Sequence, residues 1–330
     1  MNRLGKYLPK STQDKIHLWR IAARDRYRVA RAKVLGPPHV GGRGDVRNAR
    51  PHVFVRAAYQ IMLRRDADPA GLKNYVEHLE RGSLDANGVL DELLTSMDMR
   101  NVSYRNLLRS QHQSRCDFVR MLPPARRILD LGGTDQGSDD GALVSMRYPY
   151  PFERLVIVDL PSDERHELYG NLSSSDAVQT RLGPVEYRYH SMVDLAQYPD
   201  DSFDLVFSGE TIEHITEDEA RKMLAEVQRV LAPGGWFGVD TPNLRATQLM
   251  MPPGVLSNPD HKLEYTADRL TALLEDAGFT VTGAFGLNHY GDLFERGVYD
   301  EATVAANHGV YSDPENCQLL AYICRSPERR

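Results

Sequence analysis

Short apolar runs alternate with amphipathic segments from residue 125 onward, and this rhythm constrains the fold more than any other feature of the sequence. The strand candidates are RRILDLGG (126–133), RLVIVDL (154–160), VEYRYH (185–190), FDLVFSG (203–209), GWFGVDT (235–241), FTVTGAFG (279–286) and CQLLAYICR (317–325). Helix candidates lie at 217–231 and 266–278, the second with Thr266 as an N-cap and Gly278 as a stop. The alternation predicts an α/β fold in which helices cover both faces of a mostly parallel sheet.

Residues 52–100 have the apolar spacing of a compact helical unit. Asp68 and Pro69 suit the start of a helix, Gly82 suits its end, and Ser83 suits the N-cap of a third helix. We therefore expect three parts, which are a basic helix and linker over 1–50, a small all-α docking domain over 51–110 and the α/β domain over 111–330.

Charge is distributed unevenly along the chain. The formal net charge is −6, yet the first fifty residues hold thirteen lysines and arginines against three aspartates, so the remainder is strongly acidic. Residues 12–34 carry an apolar stripe at helical spacing with arginines on the other faces, which predicts a helix lying on an anionic membrane surface or on nucleic acid. The alternative is a helix packed on its own protein or on a second copy in a homo-oligomer.

The cysteine pattern bears on the compartment. Cys116, Cys317 and Cys324 are scattered, which indicates a reducing compartment without a disulfide framework. No apolar run approaches the roughly 20 residues of a membrane span, and the N-terminus shows no secretory signal. We expect a cytoplasmic protein, held peripherally at the inner face of the membrane if the basic helix binds lipid.

The exits of the first two strands carry residues suited to a nucleotide. In sheets of this kind, ligands bind at the carboxyl ends of the strands. Asp130, Gly132 and Gly133 stand at the first exit, where glycines permit close approach of the backbone to a ligand. Asp159, at the second exit, can accept hydrogen bonds from a ribose diol. These residues alone would serve NAD equally well.

The run FDLVFSGETIEHITEDEARKMLAEVQRVLAPGGWFGVDTPN (203–243) resembles the segment between the fourth and fifth strands of class I S-adenosylmethionine-dependent methyltransferases, including the PGG hairpin. The resemblance covers residues 125–290 and implies a Rossmann-like, seven-stranded sheet that binds S-adenosylmethionine. It implies cofactor contacts from Asp130, Gly132, Gly133, Asp159, Leu160, Ser191, Met192 and Ser208. Thr134 and Gln136 replace two glycines of the family's first loop. Simple loop packing is the alternative for Ser191 and Met192.

Glu210, Glu213 and His214 are spaced so that one helical turn would place all three on one side. They are either the acidic start of an ordinary helix, with His214 packed or catalytic without metal, or half of a metal site. With PDHKLEYT (259–266) they resemble the metal-dependent 2′-O-methyltransferases that cap the 3′ ends of small RNAs. The first part alone also resembles quinone-biosynthesis O-methyltransferases. The resemblance implies Mg²⁺ or Mn²⁺ on Glu210, Glu213, His214 and His261.

A metal at this position suits chemistry on a sugar hydroxyl. Such a hydroxyl holds its proton tightly, and a divalent cation lowers its pKa and fixes its position. Glu213 and His214 are therefore candidate catalytic residues, with His289 and His190 as candidate general bases.

The helical unit indicates the acceptor. Its ordering of Tyr59, Leu63, Arg65, Asp68, Gly71, Leu72, Tyr75, Leu79 and Gly82 resembles a domain of unknown function that accompanies bacterial glycosyltransferases and sugar-modifying methyltransferases. We expect an O-methyltransferase acting on a sugar in a glycan, glycolipid or polysaccharide. The alternatives are an RNA ribose, which the acidic body disfavours, a quinol-type small molecule, and a non-catalytic scaffold, which the intact site residues disfavour.

Overall fold

The computed structural model describes residues 50–328, apart from 136, 162–163 and 165–176. The predicted basic helix over 12–34 and the linker over 36–45 lie outside the described residues. The chain divides into two compact units, the first comprising the residues up to Leu108 with Val298–Ala302, and the second comprising Arg109–Gly297 with Thr303–Arg330.

The first unit is helical. Its helices are α1 (Pro51–Ala58), extended by a π-helical turn (Tyr59–Leu63), α2 (Pro69–Glu80), α3 (Ala86–Leu94) and the first part of α4 (Met97–Val119). The buried side chains that form its core are Phe54, Val55, Ala58, Tyr59, Leu63, Val89, Leu90 and Leu93. Helix α4 is continuous across residue 110, so the predicted boundary between the second and third parts falls inside a helix.

Capping residues set the helix ends in this unit. The Asp68 carboxylate accepts a hydrogen bond from the Gly71 amide at 2.8 Å, and Gly82 has φ +70°, so the predicted start and stop of α2 are confirmed. The predicted Ser83 cap is wrong, because the Ser83 hydroxyl lies 2.7 Å from the His78 ring instead. Asp85 caps α3 through the Gly88 amide, and the predicted third helix is therefore two helices.

The second unit is built on one nine-stranded sheet with the order β3-β4-β2-β1-β5-β6-β9-β7-β8. The strands are β1 (Arg127–Leu131), β2 (Arg154–Asp159), β3 (Ala177–Gln179), β4 (Pro184–Tyr189), β5 (Phe203–Gly209), β6 (Leu231–Pro242), β7 (Thr280–His289), β8 (Val310–Tyr311) and β9 (Cys317–Arg325). Seven of them form the predicted Rossmann-like sheet, which is confirmed. The short edge strands β3 and β8 are additional, and each pairs antiparallel with its neighbour.

The helices of this unit flank the sheet strands in the chain. They are the end of α4, α5 (Ala142–Ser145), α6 (Glu217–Val230), α7 (Leu244–Met250), α8 (Ala267–Asp276), α9 (Leu293–Arg296) and α10 (Glu301–Ala306), with 3₁₀ turns at Ile212–His214 and Pro314–Asn316. Thr266 caps α8 through the Arg269 amide, and Gly278 has φ +88°, so both predicted ends are confirmed.

The core lies on both faces of the sheet because successive side chains of a strand point in opposite directions. Leu129 of β1 packs in one apolar cluster, and its neighbour Ile128 packs in the other. Val156 and Leu155 of β2 divide in the same way. Burying such a side chain fully contributes roughly 1.5–3 kcal/mol, which explains why these strands carry apolar residues on both faces.

The parallel pairs bring five strand ends to one edge. Strands β1, β2, β4, β5 and β6 run parallel through the pairs β2–β4, β1–β2, β1–β5 and β5–β6. Their carboxyl ends therefore meet at the same edge of the sheet, where ligands of such folds bind.

Candidate active site

The segment after β5 does not form the expected helical turn. Glu210 has a left-handed backbone with φ +50°, and its amide donates to the Asp240 carbonyl at 2.8 Å. A single 3₁₀ turn, Ile212–His214, follows, and α6 begins only at Glu217, with Thr216 capping it. The prediction that Glu210, Glu213 and His214 share one helical face is wrong, because the backbone reverses at Glu210.

Glu213, His214 and His261 nevertheless come together, and we call these three residues the Glu213 group. One potential ligand atom of each lies within 4.8 Å of the others. The distance from His261 Nε2 to Glu213 Oε1 is 4.0 Å, and the two imidazole rings stand nearly perpendicular with centroids 4.9 Å apart. The amides of Lys262 and Leu263 both donate to the Glu213 carbonyl, at 2.8 and 3.2 Å, and this joins the two segments.

Neighbouring side chains orient the Glu213 group. The Thr241 hydroxyl donates to Glu213 Oε2 at 2.9 Å. The Glu264 carboxylate lies 2.7 Å from His261 Nδ1 and also accepts from the Ser257 hydroxyl. Burial opposes ionisation of Glu264, but hydrogen bonds from His261 and Ser257 hold its pKa below the ordinary value. An ionised carboxylate only accepts, so His261 Nδ1 donates to Glu264, and Nε2 is the ring atom that faces Glu213.

The electrostatics of this group fit a divalent cation. Burial first, and then repulsion by Glu210, raises the pKa of Glu213 well above its ordinary value. Burial and the neighbouring His261 lower the pKa of His214, so its ring is neutral at pH 7. A buried carboxylate beside two imidazole rings is a donor set that a divalent metal stabilises.

Glu210 lies outside the Glu213 group, contrary to the predicted ligand set. Its carboxylate pairs with Arg115 of α4, at 3.3 Å between Glu210 Oε2 and Arg115 Nη1. The same guanidinium binds the fully buried Asp240, with 2.8 Å between Nε and Oδ1. Sequence reasoning missed both partners. Asp240 ends a strand at the ligand edge, which was an available signal, whereas nothing in the local sequence marks Arg115.

Asp130 and Ser208, which we call the cofactor edge, lie where the resemblance places the cofactor. Asp130 Oδ2 and Ser208 Oγ are buried, and neither has a hydrogen-bond partner within the described part of the chain. Burial raises the pKa of Asp130 to about 7. An unused buried acceptor and hydroxyl fit a cationic, hydrogen-bonding ligand such as the amino-acid end of S-adenosylmethionine.

The glycines after β1 keep the backbone close to Asp130. Gly132 has φ +76°, and a Cβ at Gly133 would lie 2.1 Å from Asp130 Oδ2. Any larger side chain at Gly133 would therefore displace the carboxylate. The helix that follows this loop is the four-residue α5, and Gln136 lies outside the described residues.

The remaining predicted cofactor residues occupy the ends of β2 and β4. Asp159 Oδ1 accepts from the Leu160 amide at 2.8 Å, and the Leu160 side chain is exposed. Met192 packs against the core, and the Ser191 hydroxyl accepts from the Val193 amide in a turn. The contacts of Met192 and Ser191 are those expected if both residues serve loop packing.

The candidate bases His289 and His190 have other partners and do not belong to the Glu213 group. His289 Nδ1 accepts from the Gly291 amide at 2.8 Å, and Nε2 lies 3.7 Å from Asp313. His190 Nε2 lies 3.1 Å from the Tyr198 hydroxyl. These contacts favour structural roles over catalytic ones.

Two known families match different parts of the chain. Residues 144–239 match the family described as Methyltransferase domain, and they lie within the Rossmann-like sheet that the resemblance implied. This part of the chain is a methyltransferase domain. Residues 45–102 match a second family, described as Domain of unknown function (DUF4214). The helical unit therefore matches a family that is separate from the methyltransferase domain.

Several curated relatives of the methyltransferase domain are mycobacterial. A protein of Mycolicibacterium smegmatis named "Probable S-adenosylmethionine-dependent methyltransferase" is 39% identical over 153 residues, which are 44% of this chain and 56% of that protein. A Mycobacterium tuberculosis protein of the same name is 39% identical over 204 residues, which are 60% of this chain and 63% of that protein. The chain thus matches less than two thirds of each relative's length.

A solved S-adenosylmethionine-dependent methyltransferase from Thermotoga maritima is 16% identical, with a TM-score of 0.46, and the alignment covers 69% of this chain and 96% of that one. Among the described residues, no helix has the length and apolar character needed to cross a bilayer.

Proposed function

We propose that this protein is an O-methyltransferase that moves the methyl group of S-adenosylmethionine to a sugar hydroxyl, with a divalent metal, Mg²⁺ or Mn²⁺, at the acceptor. The observation that carries the proposal is the convergence of Glu213, His214 and His261 at the ligand edge of a methyltransferase fold. The acceptor would be a glycan, glycolipid or polysaccharide.

The residues that would hold the metal are the Glu213 group, with Glu210 as a fourth ligand after leaving Arg115. The chemistry that such an ion supplies is stabilisation of negative charge on an acceptor oxygen. His261 is fixed in the ligating tautomer by Glu264. His214 is the most exposed member of the group although its ring is partly buried, and the neutral ring that follows from its lowered pKa can bind a metal or take up a proton.

The cofactor would be held by the residues at the ends of β1 and β2. The Asp130 carboxylate suits the amino group of S-adenosylmethionine, and Asp159 suits its ribose diol. The bound cofactor supplies an electrophilic methyl group. Because β5 lies beside β1 in the sheet, an acceptor bound at the Glu213 group would approach the cofactor from the neighbouring strand end.

A sugar is favoured over RNA by two features of the sequence. The helical unit resembles a domain found beside glycan-modifying enzymes, and the chain after residue 50 is strongly acidic, which opposes a polyanion. Membrane association through residues 12–34, a cytoplasmic location and a homo-oligomeric state remain predictions.

The test is methyl transfer from radiolabelled S-adenosylmethionine by the full chain, offered bacterial oligosaccharides, RNA and quinols in parallel, with and without EDTA. We expect label in the saccharide fraction, loss of transfer with EDTA and recovery with Mg²⁺ or Mn²⁺. Label in RNA or quinol alone would overturn the acceptor class. Transfer that is indifferent to EDTA would overturn the metal. Cofactor binding, measured in the same EDTA buffer, shows that the protein remains intact.

A further inference from the structure

Arg115 connects the two acidic residues that flank the Glu213 group. It projects from α4 into the carboxyl ends of β5 and β6, where it binds Asp240 through Nε and Nη2 and Glu210 through Nη1. Gly209 leaves the space that the guanidinium occupies, since a Cβ there would lie 2.5 Å from Arg115 Nη2. The sequence of β5 is thus adapted to admit this side chain.

The two contacts of Arg115 differ in strength. Asp240 is fully buried, and the 2.8 Å contact is supported by a second one at 3.4 Å. Glu210 is joined by one contact of 3.3 Å, and 39% of its side chain is exposed. A single long contact to a solvated carboxylate is the weaker one, so Glu210 can leave while Asp240 keeps Arg115 in place.

Glu210 has a second place to bind. It stands three residues before Glu213, and it shares Arg115 with Asp240. The next residue, Thr241, donates its hydroxyl to Glu213 Oε2 at 2.9 Å, so the Glu210 and Glu213 carboxylates lie close enough to repel each other. A dication beside Glu213 would turn this repulsion into shared attraction. Glu210 would then have to break its ion pair with Arg115. A carboxylate that bound both would hold two cations, the guanidinium and the metal, next to each other.

We propose that Arg115 is a positioning residue that competes with the metal for Glu210, pairing with it in the metal-free protein and releasing it when a divalent ion occupies the Glu213 group. This rests on the metal site of the proposed function. Only molecules in which Glu210 is free of Arg115 bind the metal with all four ligands. The apparent metal affinity is therefore reduced in proportion to the fraction of molecules in which Glu210 is paired with Arg115. Arg115 also neutralises Asp240. Without Arg115, the metal-free protein would hold three carboxylates with no cationic partner beside them, those of Glu210, Glu213 and Asp240.

The test replaces the Arg115–Asp240 pair without changing net charge. Arg115→Gln alone would leave Asp240 buried and unpaired, whereas Arg115→Gln with Asp240→Asn keeps a neutral hydrogen-bonding pair. Mn²⁺ dissociation constants are measured on the full chain, from the electron paramagnetic resonance signal of free Mn²⁺. Four proteins are compared, which are the wild type, the Arg115→Gln/Asp240→Asn pair, Glu210→Gln, and the triple variant.

We expect the charge-neutral pair to bind Mn²⁺ about two- to fivefold more tightly than the wild type, as the loss of a partly exposed ion-pair competitor predicts. Glu210→Gln should bind more weakly, and the triple variant should match Glu210→Gln. A gain that persists without Glu210, or a pair that binds no better than the wild type, would overturn the competition while leaving the metal site standing. A wild type that binds no Mn²⁺ would overturn both.

Arg115→Lys provides a second variant should the pair fail to fold. A lysine can keep its charge on Asp240 but lacks the planar fork that reaches Glu210 at the same time. It should also bind Mn²⁺ more tightly than the wild type. A purely structural Arg115 predicts a lower unfolding midpoint with an unchanged Mn²⁺ affinity, and that result would count against the proposal.

Discussion

The Glu213 group and the cofactor edge lie along one side of the same sheet, yet their polar atoms are satisfied differently. Thr241 holds Glu213 and Glu264 holds His261, whereas Asp130 Oδ2 and Ser208 Oγ are buried without a hydrogen-bond partner in the described structure. An unsatisfied buried polar group costs about 1–3 kcal/mol. The protein's own contacts therefore orient Glu213 and His261, whereas Asp130 and Ser208 each keep a buried polar atom that a ligand would satisfy.

The strongest way to break this comparison is Glu213→Gln. Removing the buried charge should lower methyl transfer at least roughly 100-fold, because a metal contributes several kcal/mol through its ligands. Cofactor affinity, measured by calorimetry, should stay within about twofold of the wild type. Asp218→Asn, on the exposed face of α6, is the matched control and should transfer normally. Loss of cofactor binding in Glu213→Gln would show that the Glu213 group and the cofactor edge are not independent sites.

Glu264→Gln tests the preorganisation of the Glu213 group directly. The substitution keeps the shape but removes the charge that accepts from His261, so Mn²⁺ affinity should fall about 10- to 100-fold. Glu275→Gln, an exposed glutamate of α8, is the control. An unchanged Mn²⁺ affinity would mean that Glu264 serves packing alone.

At the cofactor edge, the raised pKa of Asp130 predicts a pH dependence. The pKa is raised from 3.8 to about 7, so the carboxyl is largely protonated below pH 7 in the free protein. A ligand ammonium favours the ionised form, so binding must expel that proton, and affinity falls as the pH falls. Between pH 8 and pH 6 the S-adenosylmethionine affinity should decrease about tenfold. Calorimetry in buffers of different ionisation enthalpy would detect proton release.

The same titration of Asp130→Asn is the control for that measurement. Its cofactor affinity should be weaker but flat across this interval. A wild-type affinity that rises on acidification would contradict the assignment of Asp130 to the cofactor.

The smallest effect is expected from Ser208→Ala. Because the Ser208 hydroxyl has no hydrogen-bond partner among the described residues, the midpoint of thermal unfolding of the free protein should be unchanged or slightly higher, while S-adenosylmethionine binding weakens about two- to fivefold. Thr241→Val makes the contrast sharper, since it removes a bond to Glu213 and should cost about 1 kcal/mol of stability without any ligand. Equal unfolding shifts in both variants would erase the distinction between the two sites.

Local signals explain what the sequence could predict. The caps Asp68 and Thr266 act on amides three residues away, and the β5 strand at 203–209 has the predicted bounds, because each depends on a short segment alone. The family resemblance supplied the seven-stranded, Rossmann-like sheet, which periodicity alone cannot determine. It also named His261, whose approach to Glu213 depends on backbone hydrogen bonds between distant segments.

Non-local contacts explain what the sequence could not predict. Arg115 is 95 residues from Glu210 and 125 residues from Asp240, so no window of sequence shows the pair. The left-handed turn at Glu210 could not be foreseen from a glutamate, a residue that seldom adopts positive φ. Of the four residues predicted to bind a metal, Glu213, His214 and His261 therefore come together, whereas Glu210 pairs with Arg115.

Strand β9 has a consequence for how this protein is made. It is the last of the described strands in chain order, yet it lies inside the sheet and pairs with β6 on one side and β7 on the other. Until β9 has left the ribosome, the backbone hydrogen-bonding groups of β6 and β7 that will pair with it are unsatisfied. Unpaired strand edges of this kind are prone to aggregate. Release of residues 317–325 therefore closes the sheet, and we expect chains shortened before that point to depend on chaperones.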